Sequence, residues 1–111
     1  MFVLSSLWEG FGYVLAEAML AEKPVAAFDG NSMPEVVTNG ETGVLIPPPG
    51  TDETPEATGR RMASAVANLM QDKEKAARLA KNGRDFCVRT FDQDRCMDAL
   101  YALLWPEHDR P

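Results

Sequence analysis

The stretch FVLSSLWEGFGYVLAEAMLAEKPVAAF, residues 2–28, decides the architecture. It opens in an apolar run that ends at Leu4 and is closed by Ser5-Ser6, the pattern of a buried strand entering a loop. After Trp8-Glu9-Gly10-Phe11-Gly12 the period changes. Val14, Leu15, Ala18, Met19 and Ala21 recur at helical spacing, with Ala16, Glu17 and Glu22 as good helix formers between them. Proline disfavours the α region for the residue before it, so Lys23-Pro24 ends the helix and Val25 to Phe28 predict a second buried strand.

Working outward, Asp29-Gly30-Asn31-Ser32 reads as a loop and Pro34 as the first residue of a short helix running through Val37. Asn39-Gly40 stops it. Gly43-Val44-Leu45-Ile46 predicts a third strand, ended by Pro47 to Pro49, which cannot continue a ladder of backbone hydrogen bonds. Strands and helices that alternate in this way predict a parallel sheet, because parallel neighbours need a crossover connection.

From Thr54 onward the pattern is helical. Thr54, Asp72 and Asp92 are placed to cap three successive helices. Their apolar stripes, Met62, Val66, Leu69 and Met70, then Ala76, Leu79, Ala80, Phe86 and Cys87, then Cys96, Leu100, Leu103 and Leu104, predict packing against the sheet. Arg60-Arg61 reads as part of a solvated face. The expected fold is α/β and partly Rossmann-like, with about three parallel strands flanked by helices and a C-terminal run of three helices. Residues 1–111 make a single partial domain, with a βαβαβ half over 1–50 and helices over 51–111.

A chain of 111 residues holds one domain at most, which excludes two facing substrate domains. With 17 acidic against 11 basic side chains, its net charge of −6 repels nucleic acid and anionic lipid. No apolar run approaches the ~20 residues that cross a bilayer. Residues 1–7 lack the basic and apolar regions of a signal peptide, so the expected compartment is the cytoplasm. Cys87 and Cys96 have no CxxC spacing, and the lone His108 completes neither a zinc site nor a Cys/His pair. Both thiols are expected in the core, and no metal is expected.

The chemistry concentrates in Glu9-Gly10-Phe11-Gly12-Tyr13-Val14-Leu15-Ala16-Glu17, two carboxylates separated by seven residues across a strand-to-helix loop. Open α/β sheets bind ligands at the carboxyl ends of their strands, where the next helix presents free amides and the positive end of its dipole to a phosphate. Gly10 and Gly12 remove side chains where a sugar or diphosphate must approach the backbone. Glu9 can accept hydrogen bonds from sugar hydroxyls, and Glu17, about a turn into the helix, can accept both hydroxyls of a ribose. Two blander explanations compete. An early helical Glu is favoured by the dipole alone, and glycines here often only permit the turn. A glycoside hydrolase using Glu9 and Glu17 as acid and nucleophile would need both carboxyl groups to face one glycosidic bond.

The order of these segments resembles the C-terminal half of the nucleotide-sugar-binding domain of the retaining glycosyl transferases group one, enzymes of GT-B fold. The residues that carry the resemblance are Phe2-Val3-Leu4-Ser5-Ser6, Glu9-Gly10-Phe11-Gly12, Glu17-Ala18-Met19, Lys23-Pro24-Val25-Ala26, Pro34-Glu35-Val36-Val37 and residues 40–47, GETGVLIP. It is specific over residues 2–49 and general beyond, around Asn82-Gly83-Arg84 and Phe91.

The resemblance implies that Glu9 is the catalytic-site Glu beside the donor sugar and that Glu17 holds the nucleotide ribose. Gly10, Phe11 and Gly12 would line the sugar and phosphate pocket. The implied reaction is transfer of a hexosyl-type sugar from a nucleotide-diphosphate sugar to an acceptor hydroxyl with retention, without a cofactor or bound metal. Two departures stand out: the family usually has Gly at the place of Glu22, and commonly a Gly pair at Asn31-Ser32. The family's diphosphate-neutralising Arg and Lys, and its acceptor domain, lie upstream of the matching segment. The expectation is therefore a fragment, inactive alone, that associates with a missing N-terminal domain or with itself through an open sheet edge, by pairing or domain swapping. The alternative is a non-catalytic binding or interaction module that kept the fold and lost donor binding.

Overall fold

The computed structural model describes residues 1–8, 10 and 12–104. Glu9, Phe11 and His108 lie outside the described residues. The elements follow the order β1 (Phe2–Leu4), α1 (Tyr13–Leu20), β2 (Val25–Phe28), α2 (Met33–Val36), β3 (Val44–Ile46), α3 (Pro55–Gln71), α4 (Lys73–Thr90) and α5 (Gln93–Leu104). The strands form one parallel sheet in the order β1-β2-β3, with Phe2 opposite Val25 and Ala26 opposite Val44. This is the expected α/β architecture.

Successive strand residues point to opposite faces, and the central strand β2 is buried on both. Val25 and Ala27 join Leu15, Met19, Val36, Val37, Leu45 and Cys87 in one core under α1 and α4. Ala26 and Phe28 join Ile46 and Met62 in a second core under α3. Helices therefore cover both faces of the sheet, and α4 returns to pack on α1. Gly83 lies at that crossing. A Cβ there would stand 3.0 Å from the Thr42 carbonyl oxygen and 3.4 Å from Met19 Cε.

The three helix caps form as the sequence predicts. The Thr54 Oγ1 accepts from the Ala57 amide at 3.2 Å, Asp72 Oδ1 from the Lys75 amide at 3.0 Å, and Asp92 Oδ1 from the Arg95 amide at 2.9 Å. Each satisfies one of the amides that the first turn leaves without a helical partner.

Three expectations are corrected. Arg61 is not part of a solvated face. Its guanidinium makes a bidentate pair with Glu53 at 2.7 and 2.8 Å and donates to the Pro47 and Pro48 carbonyls at 2.8 and 3.3 Å. The Thr58 hydroxyl donates to the same carboxylate at 2.6 Å, so the proline-rich connection after β3 is clamped to α3. Met70 is exposed although Leu69 beside it is buried, so it stands on the outer side of α3. The third helix buries none of its side chains. α5 has no sheet face beneath it, which leaves Leu100, Leu103 and Leu104 exposed and Cys96 outside the core. Only Cys87 is a core thiol, and burial pushes its pKa up. The radius of gyration is accordingly 16.7 Å, against about 13 Å for a compact domain of this length.

Candidate functional site

The loops that leave the carboxyl ends of β1 and β2 lie side by side, and the candidate residues occupy the first of them and the helix it feeds. Gly12 is the N-cap of α1 and holds φ at +80°, a backbone conformation that L side chains rarely adopt. Its amino acid type follows from that angle. A Cβ on Gly12 would only make ordinary contact with Met33 Sδ of α2 at 3.6 Å, so the first turn of α1 rests against α2. Gly10 is different. Apart from its two chain neighbours, no described residue lies within 4 Å of the place its Cβ would take, so on the side of the described residues that space is open.

Among the described residues no side chain caps α1, and no acidic residue stands in its first turn. Its N-terminal end therefore keeps its positive dipole end unneutralised from within the helix, a favourable place for an anion. Glu17 lies one turn further on, exposed, and its carboxylate makes no hydrogen bond or ion pair with the described residues. The buried side of α1 is Leu15, Ala16 and Met19. On its exposed side Glu17 is flanked by Tyr13, Val14 and Leu20, which are 71%, 45% and 46% exposed. α1 is thus apolar nearly all round yet covered on one side only. Leu7 and Trp8, exposed at 54% and 78%, continue this apolar rim along the β1–α1 loop.

Gly10 and Gly12 thus lie in the loop at the carboxyl end of β1, and Glu17 on the exposed side of the helix that this loop feeds. The residue sequence reasoning passed over as a mere departure is Asn31. It holds φ at +51°, the left-handed region that glycine would supply, and Asn is among the side chains that tolerate it. Its Nδ2 donates to the Leu7 carbonyl oxygen at 2.6 Å and ties the β2–α2 loop to the β1–α1 loop. The available signal was Asn itself, which enters left-handed turns more readily than most residues.

A cavity of 370 Å³ opens on the α3 side of the same strand ends, between Leu7, Phe28, Pro49, Pro55 and Met62. Glu53 stands at its wall. The Arg61 guanidinium and the Thr58 hydroxyl hydrogen-bonded to it hold its carboxyl down at about 2, so it is charged at neutral pH. Among the described residues no group of three or more His, Cys, Asp and Glu side chains is placed to hold a metal ion, and no helix is long and apolar enough to cross a membrane.

A twisted parallel sheet with helices on both faces, glycine-bearing loops at its strand ends and an open helix N-terminus beside them defines the class of doubly wound α/β proteins that bind ligands at this edge. Within that class the chain belongs to the glycosyl transferases group 1, which it matches over residues 1–86. It is 38% identical over 90 residues to the α-maltose-1-phosphate synthase of Mycolicibacterium smegmatis, covering 81% of this chain and 23% of that protein. It is 37% identical over 101 residues to the α-D-kanosaminyltransferase of Streptomyces kanamyceticus, covering 91% of this chain and 24% of that one. In three dimensions it superposes on Anabaena HepE, whose crystal structure contains UDP and glucose, with a TM-score of 0.75 at 26% identity over 92% of this chain and 26% of HepE. The fold is that of GT-B glycosyltransferases. The chain spans about a quarter of the length of the curated relatives it matches.

Proposed function

We propose that this chain is the donor-site segment of a retaining glycosyltransferase that moves a hexosyl group from a nucleotide-diphosphate sugar to an acceptor hydroxyl. The observation that carries the reading is the uncapped N-terminus of α1 beside the open space at Gly10, with an unpartnered carboxylate, Glu17, one turn along the helix. Diphosphate fits the first: helix amides and dipole stabilise the negative charge that grows on the leaving group as the glycosidic bond breaks. Vicinal ribose hydroxyls fit the second, since a carboxylate accepts two hydrogen bonds at once. Gly12 and Phe11 take the lining role that the family pattern gives them, and Glu9 the place beside the donor sugar. Stabilisation of this kind needs no metal and no cofactor.

The chain alone is not expected to turn over. The apolar outer side of α1, the rim of Leu7 and Trp8, and the open edge of β1, where Val3 is 40% exposed, form a surface of the kind that further protein covers. In our reading that cover is an N-terminal domain or, failing it, a second copy of the chain paired or swapped at the β1 edge, in the cytoplasm. The alternative of a module without donor binding rests on two grounds, the diphosphate-neutralising Arg and Lys that the matching segment does not contain and Asn31-Ser32 in place of a glycine pair. Asn31 in the left-handed region weakens the second ground and leaves the first to the titration below.

The test is titration of the chain with UDP-, GDP- and ADP-sugars, followed through backbone amide chemical shifts, alongside Glu17→Ala. Saturable shifts confined to residues 9–17 and weakened about tenfold or more in the variant are the expected result. That factor corresponds to the loss of charge-assisted hydrogen bonds worth about 1.5–3 kcal/mol. Absence of shifts at millimolar ligand would overturn donor binding by this chain.

A further inference from the structure

Asn31 sits in the β2–α2 loop, outside the pair of carboxylates and the glycines that mark the donor loop. Three observations concern it. Its backbone is left-handed at φ +51°. Its side chain donates from Nδ2 to the Leu7 carbonyl oxygen at 2.6 Å, across 24 residues of sequence. Its partner Leu7 precedes Gly10 by three residues, in the loop that connects β1 to the N-terminus of α1.

We infer that Asn31 is a positioning residue for the donor loop, an inference that rests on the donor-site reading above. A carbonyl oxygen can only accept, so the contact requires a donor on the side chain of residue 31. The left-handed backbone makes the contact possible, because it turns the side chain at the start of α2 toward the β1–α1 loop. Glycine at this position would keep the backbone and lose the bridge. Aspartate would keep the size and the tolerance of positive φ but offer no donor to the carbonyl at neutral pH. The described residues of the β1–α1 loop have few contacts: Leu7 and Trp8 are largely exposed, and a Cβ at Gly10 would meet no described residue within 4 Å beyond its chain neighbours. The tether at Leu7 therefore limits how far the loop swings from the N-terminus of α1. A ligand bound between loop and helix would otherwise have to order the loop itself, which lowers its apparent affinity.

The experiment compares the chain with Asn31→Gly and Asn31→Asp by three measurements. The first is thermal unfolding, the second the ¹⁵N order parameters of Leu7, Trp8 and Gly10, and the third the dissociation constant of UDP-glucose from amide shifts. A single net hydrogen bond is worth about 0.5–1.5 kcal/mol, a factor of roughly 2 to 12 in an equilibrium constant. We expect both variants to show lower order parameters at those three amides, with residues 25–28 unchanged, and affinity reduced by such a factor. A merely structural role would lower the unfolding midpoint and leave the affinity of the folded chain alone. Unchanged order parameters, or a looser loop with unchanged affinity, would overturn the assignment of Asn31 while leaving the donor site standing. A wild-type chain that binds none of the UDP-, GDP- or ADP-sugars would overturn the donor-site reading and the positioning role together.

Discussion

Replacing Glu22 by glycine should stabilise this chain by about 1 kcal/mol. Glu22 follows α1 with φ at +57°. Its amide donates to the Met19 carbonyl at 2.9 Å, and the Lys23 amide reaches back to the Ala18 carbonyl at 3.1 Å. These two bonds are the Schellman closure of a helix, in which the left-handed residue is most often glycine. An L residue in that region carries a penalty of roughly 1–2 kcal/mol, offset by roughly 0.5–1 kcal/mol for the greater freedom that glycine has in the unfolded chain. A carboxylate at the negative end of a helix without a basic residue in its last turn adds roughly 0.3–1 kcal/mol of repulsion at low salt. The Glu22 side chain is exposed and makes no bond that its loss would break. The midpoint should rise by roughly 4–6 °C for a domain of this size, read by circular dichroism. Glu22→Ala separates the two causes, since alanine removes the charge and keeps the Cβ, and it should recover only the smaller part. A glycine variant no more stable than the alanine variant would refute the backbone argument.

Two further outcomes follow from the same structure. The Glu53 carboxyl is held near 2, against an ordinary 4.5, first by the hydrogen bond from Arg61 and then by that from Thr58. A lowered pKa in the folded state gives stability that is present above about 4.5 and lost as pH falls toward 2. Chemical denaturation across that window should therefore show the advantage of wild type over Glu53→Gln shrinking as the solution is acidified. Parallel curves would contradict the clamp. The open β1 edge and the apolar outer side of α1 should drive association, so light scattering is expected to report a mass that rises with concentration. A constant monomer mass into the millimolar range would mean that this surface is tolerated in water.

Much of this architecture was legible because one physical rule governs each element. Val25 to Phe28 reads as a buried strand since both its faces meet a core, and Thr54, Asp72 and Asp92 read as caps since only a few side chains can accept from a first-turn amide. α5 was misread for an equally definite reason. Its stripe of Leu100, Leu103 and Leu104 has the amphipathic period, but a period states only that a face is apolar and not what covers it. Arg61 was misread because its partner Glu53 lies eight residues away across a turn, and no helical spacing links the two. At the candidate site, loop, glycines and helix were legible from order alone. The tie between the two loops was not, because nothing in the sequence says that residues 7 and 31 meet.

Asn31 and Glu22 form an instructive pair. Both are non-glycine residues in the left-handed region, at positions where the family resemblance implies glycine. In each case the backbone keeps the conformation and the side chain bears the consequence. Asn31 offsets its penalty with a hydrogen bond across the site edge, whereas the Glu22 side chain makes none. If both substitutions were only drift, replacement by glycine should stabilise the chain at either position. If Asn31 has a role, the two should diverge: glycine at 22 relieves the backbone at the end of α1 at no functional loss, while glycine at 31 relieves the backbone and releases Leu7. The comparison, measured on the same protein in the same buffer and with the charge contribution at position 22 taken from Glu22→Ala, separates a tolerated substitution from a used one, because only at position 31 does glycine remove a hydrogen bond as well as the left-handed L residue.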